Sequence, residues 1–115
     1  MWGISKKARV FLYLGSTDMR KSIQALSVLV AKEVGAKSAS GDLFAFCNRN
    51  MKIIKILYWD RNGFCLWQKK LESNHFKWPC NDRELQEVNQ EVLGWLLDGL
   101  DIRHAHARLD LPLAI

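Results

Sequence analysis

The sequence is poor in the residues that mark disorder, disulfide scaffolds and membrane spans. It holds only 2 prolines and 7 glycines, too few for a low-complexity linker or a collagen-like repeat. Its three cysteines, Cys47, Cys65 and Cys80, are odd in number and include no C-x-x-C pair. Neither a disulfide framework nor a zinc knuckle is indicated, and a reducing cytoplasm is the expected setting. No apolar run approaches the roughly 20 residues of a membrane span, and Met-Trp-Gly-Ile-Ser-Lys-Lys at the start lacks the apolar core of a signal peptide.

Catalytic signatures are missing as well. There is no Gly-rich phosphate loop, no G-x-S-x-G elbow and no H-E-x-x-H. Asp18, Asp42 and Asp60 show no spacing that defines a two-metal carboxylate site. Cys65 suits a buried structural thiol better than a nucleophile, and His104 and His106 lack a third ligand. The expectation is a non-enzyme with neither cofactor nor metal.

What the chain does hold is positive charge, unevenly placed. Lys plus Arg number 17 against 12 Asp plus Glu, a formal charge of +5. Residues 1–80 carry 14 basic and 5 acidic side chains, a balance of +9, whereas residues 81–115 carry 3 and 7, a balance of −4. An anionic partner is favoured for the first segment. With 115 residues, 49% of them apolar, one compact domain is expected over residues 1–102, followed by a tail at 103–115 without clear periodicity.

Hydrophobic patterning predicts an α+β fold. Residues 9–14 read as a buried strand stopping at Gly15. Thr17 and Asp18 offer N-caps to a helix whose stripe is Met19, Ile23, Leu26, Val30 and Val34, with Gly35 as its C-cap. Strands follow at 43–47, 52–59 and 64–71, with another short one at 75–78. Asn89 caps a last helix with Val92, Leu93, Leu96, Leu97 and Leu100 on one face. The resulting picture is a small antiparallel sheet of four to five strands, a meander with an Asn-Gly hairpin, packed with an N-terminal and a C-terminal helix.

If Asn62 and Gly63 form a two-residue loop, Trp59 faces Leu66, Leu57 faces Gln68 and Lys55 faces Lys70. One face then carries Lys55, Leu57, Trp59, Leu66, Gln68 and Lys70. The other carries Ile54, Ile56, Tyr58, Trp67, Lys69 and Leu71, is the more apolar, and is expected to pack on the first helix.

This register gathers Arg49, Lys52, Lys55, Lys69 and Lys70 near one end of the sheet, and Arg20 with Lys21 form a second basic pair at the first helix. These seven are the candidate DNA contacts, because phosphates need charge without fixed side-chain geometry. The competing explanation is that the lysines solubilise an exposed face and discourage edge pairing. Trp59, Trp67 and Trp78 are candidates for a protein interface, with core packing as their structural alternative.

Taken in order, five segments resemble a known bacterial family. They are Thr17-Asp18-Met19-Arg20-Lys21-Ser22, Gly41-Asp42-Leu43-Phe44-Ala45-Phe46, Ile54-Lys55-Ile56-Leu57-Tyr58-Trp59-Asp60, Lys69-Lys70-Leu71-Glu72 and Phe76-Lys77-Trp78-Pro79. The family is the small TnpB-type accessory protein, the second-reading-frame product, of insertion sequences of the sixty-six type. The resemblance covers about residues 8–102. It implies a transposon-encoded protein working beside a separate, larger transposase, and assigns no catalytic residue. Arg20, Lys21, Lys55 and Lys70 match basic positions of the family's motifs. Two departures, Asn74 for a frequent Gly and Asn89 for a frequent Ser or Thr, are both compatible with the fold, since Asn tolerates left-handed backbone and caps helices.

Two functions remain: an accessory factor holding DNA through the basic sheet end, or an adaptor docking on the transposase without touching DNA. A homo-oligomer is compatible with either.

Overall fold

A computed structural model describes residues 4–18, 20, 22–34, 41–79 and 85–101. Strand β1 (Val10–Tyr13) leads to helix α1 (Ile23–Val34) and strand β2 (Leu43–Cys47). Strands β3 (Ile53–Asp60) and β4 (Gly63–Lys70) follow, then β5 (Leu85–Val88) and helix α2 (Gln90–Leu97). The five strands form one sheet in the order β4-β3-β2-β1-β5.

The α+β class holds, but the sheet is mixed rather than antiparallel. β1 and β2 pair in parallel, and the other three pairings are antiparallel. A parallel pair needs a long connection to bring the chain back, and α1 supplies it. The first helix is therefore a crossover after β1 and not an N-terminal element. The expected tail at 103–115 lies outside the described residues.

Nearly every core strand buries both faces. Val10, Leu12, Leu43, Ala45, Cys47, Ile54, Ile56 and Val88 pack with Val92, Leu93 and Leu96 of α2. On the other side Phe11, Phe44, Phe46 and Leu57 pack with Leu26 and Val30 of α1. Alternation with period two sends neighbouring residues to opposite sides, so a strand covered by a helix on each side reads as continuously apolar. Phe11 and Phe44, partners across the parallel pair, stack with ring centroids 5.4 Å apart.

The two sheet faces contain the residues expected of them, but the helices are exchanged. Ile54, Ile56, Tyr58 and Trp67 belong to the α2 side, and Leu57 and Leu66 meet α1. The expectation that the more apolar face packs on the first helix is thus reversed. The α2 side draws further apolar cover from Phe76 and Trp78. These two lie in a segment that joins no sheet ladder, so the strand expected at 75–78 is absent.

The hairpin register also differs from expectation. Asp60 pairs with Gly63 and Ile53 with Lys70, so the loop is Arg61-Asn62 and Gly63 already belongs to β4. Arg61 takes the positive φ of 52°, and the Asn62 N–H donates to the Asp60 carbonyl, closing a three-residue turn. Lys55 consequently faces Gln68, and Lys70 faces Ile53, so the expected Lys55–Lys70 opposition does not occur. Each partner moves by two residues, which preserves the side of the sheet on which every side chain lies.

Local chemistry sets the helix ends. Ser22 Oγ accepts the Ala25 N–H at 3.1 Å, so Ser22 caps α1 in place of Thr17 or Asp18, and the helix begins at Ile23. Leu26 and Val30 of the expected stripe are buried, whereas Ile23 is exposed; Met19 and Gly35 lie outside the described residues. Asn89 Oδ1 accepts the Val92 N–H at 2.8 Å and caps α2 as expected.

At the other end of α2, Gly99 has a φ of 86°. The Leu100 N–H donates to the Trp95 carbonyl and the Gly99 N–H to the Leu96 carbonyl, the paired bonds of a Schellman termination. Asn74 sits at a φ of 63°, so the left-handed turn expected there is kept.

Asp42 ties the starts of β1 and β2 together. It is buried, and its carboxylate accepts the Arg9 N–H at 2.9 Å and the Arg9 guanidinium at 2.9 and 3.2 Å. The guanidinium also lies 5.3 Å from the Phe11 ring centroid.

Candidate nucleic-acid interface

Three chain segments meet at one end of the sheet, where β1, β2 and β4 end and β3 begins. The Thr17 N–H donates to the Cys47 carbonyl at 2.9 Å, joining the β1–α1 loop to the end of β2. The Gly15 N–H donates to the Pro79 carbonyl at 3.2 Å. The Leu71 N–H bonds the Lys52 carbonyl at 2.9 Å and the Phe76 N–H bonds the Met51 carbonyl, so the stretch after β4 is laced to the β2–β3 turn. Asn48 shapes that turn by accepting the Lys52 and Ile53 N–H groups at 2.9 and 3.0 Å.

This rim gathers basic side chains from sequence positions up to 57 residues apart, from Arg20 to Lys77. Arg49 stands exposed on the turn, Lys70 exposed at the end of β4, and Lys55 half-buried on β3 beside Phe46 of β2. Arg20 is exposed and held by Asp18, whose carboxylate it grips through Nε and Nη2 at 2.8 to 3.1 Å. That hydrogen-bonded contact first, and the carboxylate charge second, raise the guanidinium pKa above its ordinary value. Lys21 lies outside the described residues.

Two of the seven candidates have structural work instead. Lys52 Nζ donates to the Asn74 carbonyl at 2.9 Å, bracing the left-handed turn. Lys69 points to the α2 side, and its Nζ donates to the Leu97 carbonyl at 2.8 Å. A cation there satisfies an otherwise orphaned carbonyl and complements the negative helix end.

Lys77 joins the rim and was absent from the sequence-derived set. It is exposed between the buried Phe76 and Trp78, and the alternation of that short run was the available signal. Among the described residues, the acidic side chains carried by these segments are Asp18 and Glu72.

The three tryptophans divide differently. Trp78 is buried, and its indole N–H donates to the Tyr13 carbonyl at 3.2 Å, so it is a core residue and not an interface candidate. Trp67 packs half-buried against the same core. Trp59 is half-buried near the hairpin, edge-on to Phe64 with centroids 5.0 Å apart. Tyr58 pairs with Cys65 across β3 and β4. Burial first, then the charge and hydrogen bond of Cys65 and the charge of Asp60, push the phenol pKa above its ordinary value.

Among the described residues no group of three His, Cys, Asp or Glu side chains is placed to hold a metal ion, and no helix is long and apolar enough to cross a membrane. Fold and rim together define a small α+β domain, a mixed sheet between two helices with basic side chains gathered at one end.

Residues 8–107 match the family model described as IS66 Orf2 like protein. Two relatives from Sinorhizobium fredii (strain NBRC 101917 / NGR234) are similar along most of their length. Uncharacterized protein y4hO is 31% identical over 99 residues, covering 86% of each chain. Uncharacterized protein y4jC is 30% identical over 101 residues, 88% of this chain and 86% of its own. No solved structure matches. The chain belongs to the IS66 Orf2-like family, and that membership implies an accessory role in IS66 transposition.

Proposed function

We propose that this chain is a non-catalytic accessory factor that binds DNA through the basic rim, leaving strand cleavage and joining to a separate transposase. The observation that carries the reading is the convergence of Arg20, Arg49, Lys55, Lys70 and Lys77 from separate segments onto one end of the sheet. Phosphates are the fitting counter-charge, because their recognition needs positive potential more than fixed geometry. Fluorescence anisotropy with a labelled duplex at low salt tests this. Wild type is expected to bind and the Arg49→Glu/Lys70→Glu double variant to lose most of that binding; equal binding by both refutes the rim as the site.

A second reading, docking on the transposase, draws on the exposed Glu87 of β5, the edge strand opposite β4, and the exposed Glu91 at the start of α2. A basic protein surface is the matching partner. Co-purification with the element's transposase that is lost in a Glu87→Lys/Glu91→Lys variant supports it. No association, with or without DNA, counts against it.

A further inference from the structure

The rim's cations are not equally available. Lys52 and Lys69 are bonded to backbone carbonyls and Arg20 to Asp18. Arg49, Lys70 and Lys77 are exposed, and their side chains make no hydrogen bond or ion pair with other described residues. These three come from the β2–β3 turn, the end of β4 and the stretch beyond it.

Equally informative is what accompanies them. Binding to single strands relies on aromatic faces for successive bases, in addition to a charged groove. No described aromatic residue is fully exposed. Phe46, Phe76 and Trp78, all at this end, are buried. Tyr13, also at this end, packs on Phe46 with centroids 5.7 Å apart. Trp59 and Phe64 lie toward the far end of the sheet, about 20 Å along the strand from Lys70 at about 3.3 Å per residue.

Nor do the described residues include a groove-reading element. The exposed positions of α1 include Gln24, Val28, Ala31 and Lys32, a single cation among them, unlike a recognition helix lined with base-contacting polar side chains.

We propose that the rim grips the phosphodiester backbone of duplex DNA, without reading its sequence and without stacking on its bases. This inference rests on the DNA-binding function proposed above. From β4 to β1 the rim spans three strand spacings, about 14 Å. One strand of a duplex presents a phosphate about every 3.4 Å of axis, so the rim faces about four phosphates. Three available cations match that number closely.

Anisotropy titrations test it with two labelled duplexes of unrelated sequence and one single strand of equal length, between about 50 and about 200 mM salt. The duplexes are expected to bind within about threefold of each other and the single strand no more tightly. Neutralising about three phosphates gives a log–log slope near −2.7, a loss of about 40-fold over that range. Lys70→Gln and Lys77→Gln are each expected to reduce the slope by about one, whereas Lys69→Met leaves it unchanged.

A single strand bound about tenfold more tightly, or one duplex preferred by about 1,000-fold, overturns the inference while leaving DNA binding intact. A slope untouched by Lys70→Gln and Lys77→Gln overturns it too. Absence of binding to every probe at the lowest salt instead sinks the underlying DNA-binding function.

Discussion

Replacing Asp42 by alanine removes the carboxylate that joins the starts of the two parallel strands, and its cost separates two kinds of bond. Asp42 is 5% exposed. It accepts the Arg9 N–H at 2.9 Å in addition to the guanidinium. A part-buried amide left without an acceptor costs about 1–3 kcal/mol. The Arg9 side chain is 40% exposed, so a released guanidinium regains water, and the ion pair contributes about 1 kcal/mol or less.

Asp42→Ala is therefore expected to cost about 2–3 kcal/mol. Asp42→Asn keeps an oxygen for the amide and is expected to cost about 1 kcal/mol. Urea unfolding followed by tryptophan fluorescence reads both. With a slope of about 1.5 kcal/mol/M, the alanine variant shifts the midpoint down by about 1–2 M and the asparagine variant by less than about 1 M, with the slope unchanged. Equal losses from the two variants would show that the guanidinium pairing, not the backbone bond, is what matters. Losses below about 0.5 kcal/mol in both would refute the role given to Asp42 altogether.

Asn89→Ala deletes the acceptor for the Val92 N–H and is expected to lower stability by about 1 kcal/mol, while Asn89→Ser retains it, as chemical denaturation would measure. At Asn74, whose φ is 63°, a valine is expected to cost about 1–2 kcal/mol and a glycine to be close to neutral in the same assay. Tyr58 has a raised pKa in the folded chain, so the unfolded chain releases that proton first as pH rises. Stability contributed by the neutral phenol is present below about pH 10 and declines above it, and Tyr58→Phe should flatten the alkaline limb of a stability-versus-pH profile.

Strands β1 to β4 and the last helix were legible because their signals are local. Leu43–Cys47 is apolar at every position and is buried throughout, and Asn89 both begins and caps the helix that its flanking sequence suggests. The parallel pairing of β1 with β2 was not legible, since it depends on where a crossover helix deposits the chain rather than on either strand's own pattern. β5, with Gln86 and Glu87 in its middle, has no apolar alternation and is held as a strand by its ladder to β1.

The basic end of the sheet was visible in outline because strand order and turn positions alone bring Arg49, Lys55 and Lys70 near one another. The separate fates of Lys52 and Lys69 were not, because each is decided by a carbonyl 22 or 28 residues away in sequence. Likewise the hairpin loop fell one residue earlier than the Asn-Gly pair suggests, with Arg61 taking the positive φ. That shift dissolved the Lys55–Lys70 opposition yet left both lysines on the same side of the sheet.

The most direct measurement compares two variants matched in charge. Arg49, Lys70 and Lys77 are changed to Gln at the rim, and Lys6, Lys7 and Arg61, exposed around the opposite end of the sheet, are changed to Gln as the counterpart. Both lose the same formal charge, so any difference in duplex affinity at low salt reports position rather than net charge. The rim variant is expected to lose at least about tenfold more affinity than its counterpart. Equal losses would mean that diffuse positive charge, and not the end of the sheet where β1, β2 and β4 terminate, is responsible for binding.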